Sequence, residues 1–274
     1  GELTTATAQN LFMYLERHGI PTHFLAPVNE VHFVARQLDM IPVLVQVSRF
    51  VQPEHVKREP GLIAGEQFKK PRVEFFFKNS YKSYPLMVRP EGAQYSWELH
   101  DPTVPVGQKV VGFREERGSL AVLRGKNREM RDLSLKAFEA LEWGLKHLDH
   151  DLEWLQLELG IFGREAMYIG DLLGNKSWRL RLNGEAGNDP SDTRYNQAID
   201  QLGQEPLPRD ERFFIMDGYK KAFEISEQLL TDVPLPSYVS PYREDELITH
   251  PRWRNYDENV VKLITAKEAT EEIT

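Results

Sequence analysis

An α+β fold built around an antiparallel sheet is predicted by two patterns in this sequence and by the order in which they occur. The first is alternation in PVLVQVSRF and again in WLQLELG. There Val43, Val45 and Val47, then Leu155, Leu157 and Leu159, fall on one side of a strand. The second is the helical spacing of Met130, Leu133, Ala137, Leu141 and Leu148 in NREMRDLSLKAFEALEWGLKHL. Strands come first, then this long helix, then a hairpin, then further helices, an order that suits an antiparallel sheet.

Ala8, Leu11, Phe12 and Leu15 predict a first helix over about residues 5–18, which Gly19 stops. Residues 23–51 are strand-like (HFLAPV, VHFVARQL, PVLVQVSRFV). Residues 52–70, polar and carrying Pro53, Pro60 and Gly61, read as a loop. A strand resumes at Val73 in PRVEFFFK. Residues 79–124 are rich in glycine, proline and charge, with a strand at VVGF. The long helix and the hairpin LELGIFGREAMYIGD follow, and NGEAGNDPSD is a polar loop. Helices are predicted over about residues 194–202 and 211–230. Pro234, Pro236, Pro241 and Pro251 interrupt the next stretch, and a charged helix over about 258–272 closes the chain. This organisation predicts one large domain, 1–230, followed by a proline-rich segment and terminal helix, 231–274.

Composition narrows the function. At 274 residues the chain can bury a sizeable core, and 41% hydrophobic with 28% charged residues is ordinary for a globular protein. A net charge of −8 argues against binding nucleic acid through a general field. No apolar run approaches the ~20 residues of a membrane helix, so no membrane partner is expected. The absence of cysteine rules out disulfides, a thiolate nucleophile and a cysteine metal site, and suits a reducing, cytoplasmic setting. No G-x-S-x-G context supports a hydrolase. His147 and His150, beside Asp149 and Asp151, lack a third zinc ligand and read as a solvated helix end.

The hairpin carries a carboxylate near each end. With the turn centred on Gly163 and Arg164, position 158 faces 169 and 156 faces 171, which puts Glu158, Gln156 and Asp171 on one face. Diagonal neighbours lie at roughly 7–8 Å, a gap that one hydrated divalent cation bridges. Two readings fit this spacing: a magnesium site holding nucleotide phosphates, or two solvated charges on an exposed face. A slip of one residue would separate the pair.

The run LQLELGIFGREAMYIGDLLGNKSWRL resembles the SAICAR synthetase family, phosphoribosylaminoimidazole-succinocarboxamide synthases of purine biosynthesis, whose pattern is D-F-K-L-E-F-G, a turn, G-D-E and S-R. GELTTATAQNLFMYLERHGIPTHF, LDMIPVLVQVSRF, VEFFFKN and LHDPTV resemble further family segments in the same order, over roughly residues 1–180. The resemblance implies an antiparallel-sheet ATP-binding fold with a nucleotide cleft like that of kinases and ATP-grasp enzymes. It implies ATP and Mg2+ as cofactors and ligation as the chemistry: a carboxylate of an aminoimidazole ribonucleotide is phosphorylated, and the aspartate amine then displaces phosphate. Position by position it implies that Glu158 and Asp171 hold the cation and that Lys78 meets the nucleotide. His100 and Asp101 of the H-D-P match lie near the substrate, and Arg179 matches the arginine of S-R. Lys78, Asp101 and Arg179 are the catalytic candidates. The partners implied are small molecules, and a homo-oligomer is left open.

Departures from the pattern bear on the substrate. The family's Glu after P-V is Leu44, its strand-ending Arg is Ser48, and Trp154 and Gln156 replace its D-x-K. Its opening Gly-Lys loop falls upstream of Gly1, which aligns with an internal family glycine, so a preceding piece is expected. Two alternatives stay open: an ATP-dependent ligase or kinase acting on another carboxylate, and a non-catalytic nucleotide-binding relative.

Overall fold

The structure is a computed structural model that describes residues 2–29, 31–78, 84–163, 166–182, 184, 189, 191 and 209–234. The chain divides into a compact unit, Gly1–Val233, and a second unit, Pro234–Thr274, of which Pro234 alone is among the described residues. The helices predicted over 194–202 and 258–272, the proline-rich segment and most of the 183–192 loop therefore lie outside the described residues.

Helix α1 (Glu2–Arg17) leads into a two-stranded sheet of β1 (Phe24–Asn29) and β2 (His32–Ala35). The main sheet follows. Its strands are β3 (Asp39–Phe50), β4 (Gln67–Phe77), β5 (Leu86–Val88), β6 (Ser96–His100), β7 (Val110–Glu115), β8 (His150–Phe162), β9 (Ala166–Gly170) and β10 (Trp178–Leu182). Its order is β10-β8-β3-β4-β5-β6-β7, and all these named pairings are antiparallel. The 13-residue β8 is long enough to pair β10 along its first half and β9 along its second, with β3 on its other edge. Helices α2 (Pro53–Arg58), α3 (Asn127–His147) and α4 (Arg209–Thr231) complete the described elements, with a 3-10 turn at Gly118–Leu123 before α3.

The period of two in β3 and β8 divides the sheet into two unlike faces. Val43, Val45, Val47, Leu155, Leu157 and Leu159 are all buried against Leu11, Phe12 and Leu15 of α1 and Met130, Ala137, Phe138 and Leu141 of α3. The intervening residues point the other way, in three cross-strand rows: Phe76–Leu44–Glu158, Glu74–Gln46–Gln156 and Arg72–Ser48–Trp154. The apolar face holds the helices, and the polar rows are left to line a cavity.

Two segments differ from the sequence reading. Residues 52–70 contain α2 and the start of strand β4, from Gln67, rather than a loop throughout. Helix α2 buries His55 and Arg58 instead of an apolar stripe, so hydrophobic periodicity carries no trace of it. Residues 79–124 include three strands, of which VVGF opens the last.

The hairpin register is also corrected. Glu158 pairs Gly170 and Leu159 pairs Ile169, so position 158 faces 170 rather than 169, and 156 does not face 171. The turn holds one residue more than expected, with Gly163 at φ +68°, a conformation that glycine adopts without strain. The chain leaves the ladder after Gly170. Asp171 takes φ +60°, and the Gln156 N–H donates instead to the Ser177 carbonyl at 2.6 Å. The cross-strand pairing that would have set Gln156 against Asp171 is absent. Asp171 is one residue beyond the partner of Glu158.

Candidate functional site

A cavity of about 660 Å³ opens over the polar rows. Gln46, Gln156 and Trp154 belong to its lining from the sheet, Arg58 from α2, and Arg179 and Arg181 from β10. Its floor is knitted together by amides: Gln156 donates to the Gln46 side-chain oxygen at 3.0 Å, and Gln46 donates to the Ser48 hydroxyl at 3.1 Å. Leu44 and Phe76, from the neighbouring row, also line it.

At the end of that row Lys78 reaches across β3 to Glu158. Its Nζ lies 2.5 Å from both carboxylate oxygens, and both side chains are partly buried. The Lys78 backbone is fixed as well, its N–H donating to the Pro42 carbonyl at 2.9 Å. The structure thus joins two residues that sequence reasoning had placed separately, 80 positions apart.

Asp171 is exposed and lies against His23. Burial pushes the His23 ring below its ordinary range, while the charge and the backbone carbonyl of Asp171 partly oppose that shift. Among the described residues no three His, Cys, Asp or Glu side chains are grouped to hold a metal. This excludes an all-protein cage there. It suits magnesium, which is commonly held by one or two carboxylates together with substrate phosphates and water. The two carboxylates have different neighbours, Lys78 for Glu158 and His23 for Asp171.

Asp101 is differently employed. It accepts from the Thr103 N–H at 3.0 Å, the Thr103 hydroxyl at 2.6 Å and Lys109 Nζ at 2.6 Å. Hydrogen bonds from Lys109 and Thr103 hold its carboxyl at about 2. These contacts brace the 101–109 loop, whose Pro102 lines the cavity. His100 sits beside it, 2.9 Å from Glu98 and accepting from the Gly107 N–H at 3.1 Å. Arg179 does face the cavity, with 40% of its side chain exposed and Glu153 at 3.5 Å.

Sequence reasoning missed a buried ionic wall. His55 and Arg58 converge on Glu74, with Arg58 Nη2 at 2.7 and 2.8 Å from its two oxygens, and Arg72 adds a contact at 3.1 Å. Burial alone would raise the Glu74 carboxyl, but these three partners outweigh it and hold it below its usual range. Glu153 and Arg181 form a second buried pair. One signal was readable: Arg72, Glu74 and Phe76 alternate with Val73, Phe75 and Phe77, so β4 carries charge on one face of an otherwise apolar strand.

The SAICAR synthetase family model matches residues 1–197. The chain belongs to the SAICAR synthetase family. It is 29% identical over 203 residues to a phosphoribosylaminoimidazole-succinocarboxamide synthase of Chloroflexus aurantiacus, covering 73% of this chain and 72% of that one. It is 28% identical over 182 residues to a bifunctional purine synthesis protein of Dictyostelium discoideum, covering 66% of this chain and 16% of that protein. A solved type-2 SAICAR synthetase in complex with ADP is 20% identical, with a TM-score of 0.59, covering 85% of this chain and 82% of that one, and shares the fold. The family is one of ATP-dependent ligases of purine biosynthesis, and the antiparallel-sheet α+β architecture read from the sequence is the architecture found. Among the described residues, no helix is long and apolar enough to cross a membrane.

Proposed function

We propose that this chain uses ATP and Mg2+ to form an amide between a carboxylated aminoimidazole ribonucleotide and aspartate. The observation that carries the reading is the match to the SAICAR synthetase family over residues 1–197; the Lys78–Glu158 pair does not itself line the cavity, but Glu158 is the cross-strand partner of Leu44, which does. Magnesium, held by Glu158 and Asp171, would supply charge neutralisation at the nucleotide phosphates. Lys78, whose Nζ lies 2.5 Å from both Glu158 oxygens, orients that carboxylate and adds a cationic group beside it. Arg179 faces the anionic groups of the acceptor, and Asp101 shapes the loop at the cavity edge. The chemistry then needs positioning more than a protein nucleophile: a carboxylate oxygen attacks the γ-phosphorus, ADP leaves, and the aspartate amine displaces phosphate from the acyl phosphate and loses a proton.

The test is release of phosphate from ATP by the full-length protein given the imidazole carboxylate and aspartate together. Phosphate release that depends on both is expected, and its absence with those substrates sinks this assignment. A second reading has its own observation. Leu44, Gln46 and Gln156 line a neutral stretch of the cavity, with Ser48 tied to Gln46, where the family pattern places charges at 44, 48 and 156. That suits an ATP-dependent ligase or kinase acting on a different carboxylate. Phosphate release with another acceptor from a panel of carboxylates, and not with the imidazole, would select it.

A further inference from the structure

Strand β10 lies against β8 with a break in register. Arg179 pairs Trp154 but Leu180 pairs Leu152, which leaves Glu153 as the extra residue of a β-bulge. The bulge turns Glu153 inward, 3% exposed, and its carboxylate stands between two arginines. Arg181 Nε donates to one oxygen, while Arg179 Nε lies 3.5 Å from the other. Arg181 is 8% exposed at its side chain and is sandwiched further, its guanidinium 3.8 Å from the centre of the Phe50 ring. All three charged residues line the cavity. One acid between two arginines leaves one positive charge over, and it sits on the arginine that is open to the cavity. A buried ion pair costs desolvation and is weak evidence for stability, so its place on a cavity wall asks for another explanation. A bulge is a device for re-aiming a side chain, and bulges are over-represented beside active sites.

We propose that Glu153 and Arg181 are positioning residues that hold Arg179 as the cavity's seat for an oxyanion of the acceptor, its phosphate or its carboxylate. The proposal rests on the reading of Arg179 as a substrate-facing residue. Arg181 braces the far oxygen of Glu153 and Phe50 braces Arg181. The near oxygen then limits the swing of Arg179, whose remaining N–H groups form a fork suited to two oxygens. Fixing a long side chain in advance removes the rotamer cost from the binding step.

The experiment uses the full-length protein and measures binding of the carboxylated aminoimidazole ribonucleotide and of its 5′-dephosphorylated nucleoside by calorimetry, with the KM for ATP as the fold control. Replacing the buried pair by apolar side chains of similar size, Glu153→Met with Arg181→Met, commonly preserves stability. In that double variant, affinity for the nucleotide should fall about tenfold with the KM for ATP unchanged. If the phosphate is the group held, the nucleoside binds equally to wild type and variant. If it is the carboxylate, both ligands weaken alike. Wild-type affinity for both ligands in the double variant overturns the proposal. Should that variant melt early, Glu153→Gln decides: severalfold weaker nucleotide binding supports positioning, and no change refutes it. Arg179→Gln separates the underlying reading. If it too leaves both affinities unchanged, Arg179 is not a substrate residue, whatever the pair beside it does.

Discussion

Lys78 and Glu158 neutralise each other at 2.5 Å with 31% and 17% of their side chains exposed, so removing either strands the other's charge in a poorly solvated place. Lys78→Met should cost roughly 1–3 kcal/mol of stability in a denaturant titration, within the range for leaving a buried polar group unsatisfied. It should also abolish any rise in melting temperature on adding ATP with magnesium. Asp101 makes a separate prediction. Its carboxyl is held at about 2 in the folded chain, against an ordinary value of 3.8, by hydrogen bonds from Lys109 and Thr103. A depressed carboxyl contributes stability that is fully present above about pH 4 and is lost as pH falls from there towards 2. Asp101→Asn should flatten that part of the acid-melting profile while leaving the melting temperature near pH 7 lower by a small, pH-independent amount. At this scale the sequence singles out residues but not their partners. Lys78 and Glu158 were both singled out, yet nothing in the sequence says that a side chain 80 residues away will fill the space between them, because β3 lies between their strands.

Strands and long helices are legible wherever a period survives, as in β3, β8 and α3, and illegible where a polar network takes the place of an apolar stripe. Helix α2 is the clearest case: its buried residues are His55 and Arg58, so the segment reads as a loop until Glu74 is seen beneath it. The hairpin fails for another reason. Alternation fixes which residues share a face, but the length of the turn fixes the register, and one extra residue at the turn moved every pairing by one. Packing between helices gives a test at this scale. A Cβ on Gly144 of α3 would lie 2.2 Å from the Tyr14 hydroxyl of α1 and 2.7 Å from Leu229 Cδ2 of α4. Tyr14 is itself held, donating to the Ala140 carbonyl at 2.9 Å. Gly144→Ala should therefore destabilise the protein by about 1–3 kcal/mol despite alanine's better helix propensity, and chemical denaturation will show it as a lower midpoint. A variant as stable as wild type would mean that α1 and α4 move aside freely.

In the compact unit as a whole, one sheet serves two purposes. Between the β8 bulge and the hairpin, Val43, Val45, Val47, Leu155, Leu157 and Leu159 pack on the helices, while Leu44, Gln46, Trp154 and Gln156 floor a cavity whose walls include buried ion pairs. The two-faced sheet was legible from alternation alone, and the order of several short motifs pointed to the family. The cavity was not, since its walls come from α2, the β8 bulge and β10, elements joined only by tertiary contact. The central claim is that ATP and magnesium bind beside this cavity through Glu158. Calorimetric titration of MgATP into the full-length wild type and Glu158→Ala tests it directly. The account predicts saturable binding to the wild type and at least tenfold weaker binding to the variant, with melting temperatures close enough to show that both are folded. Equal affinity in the two proteins, or no binding to the wild type, would contradict it.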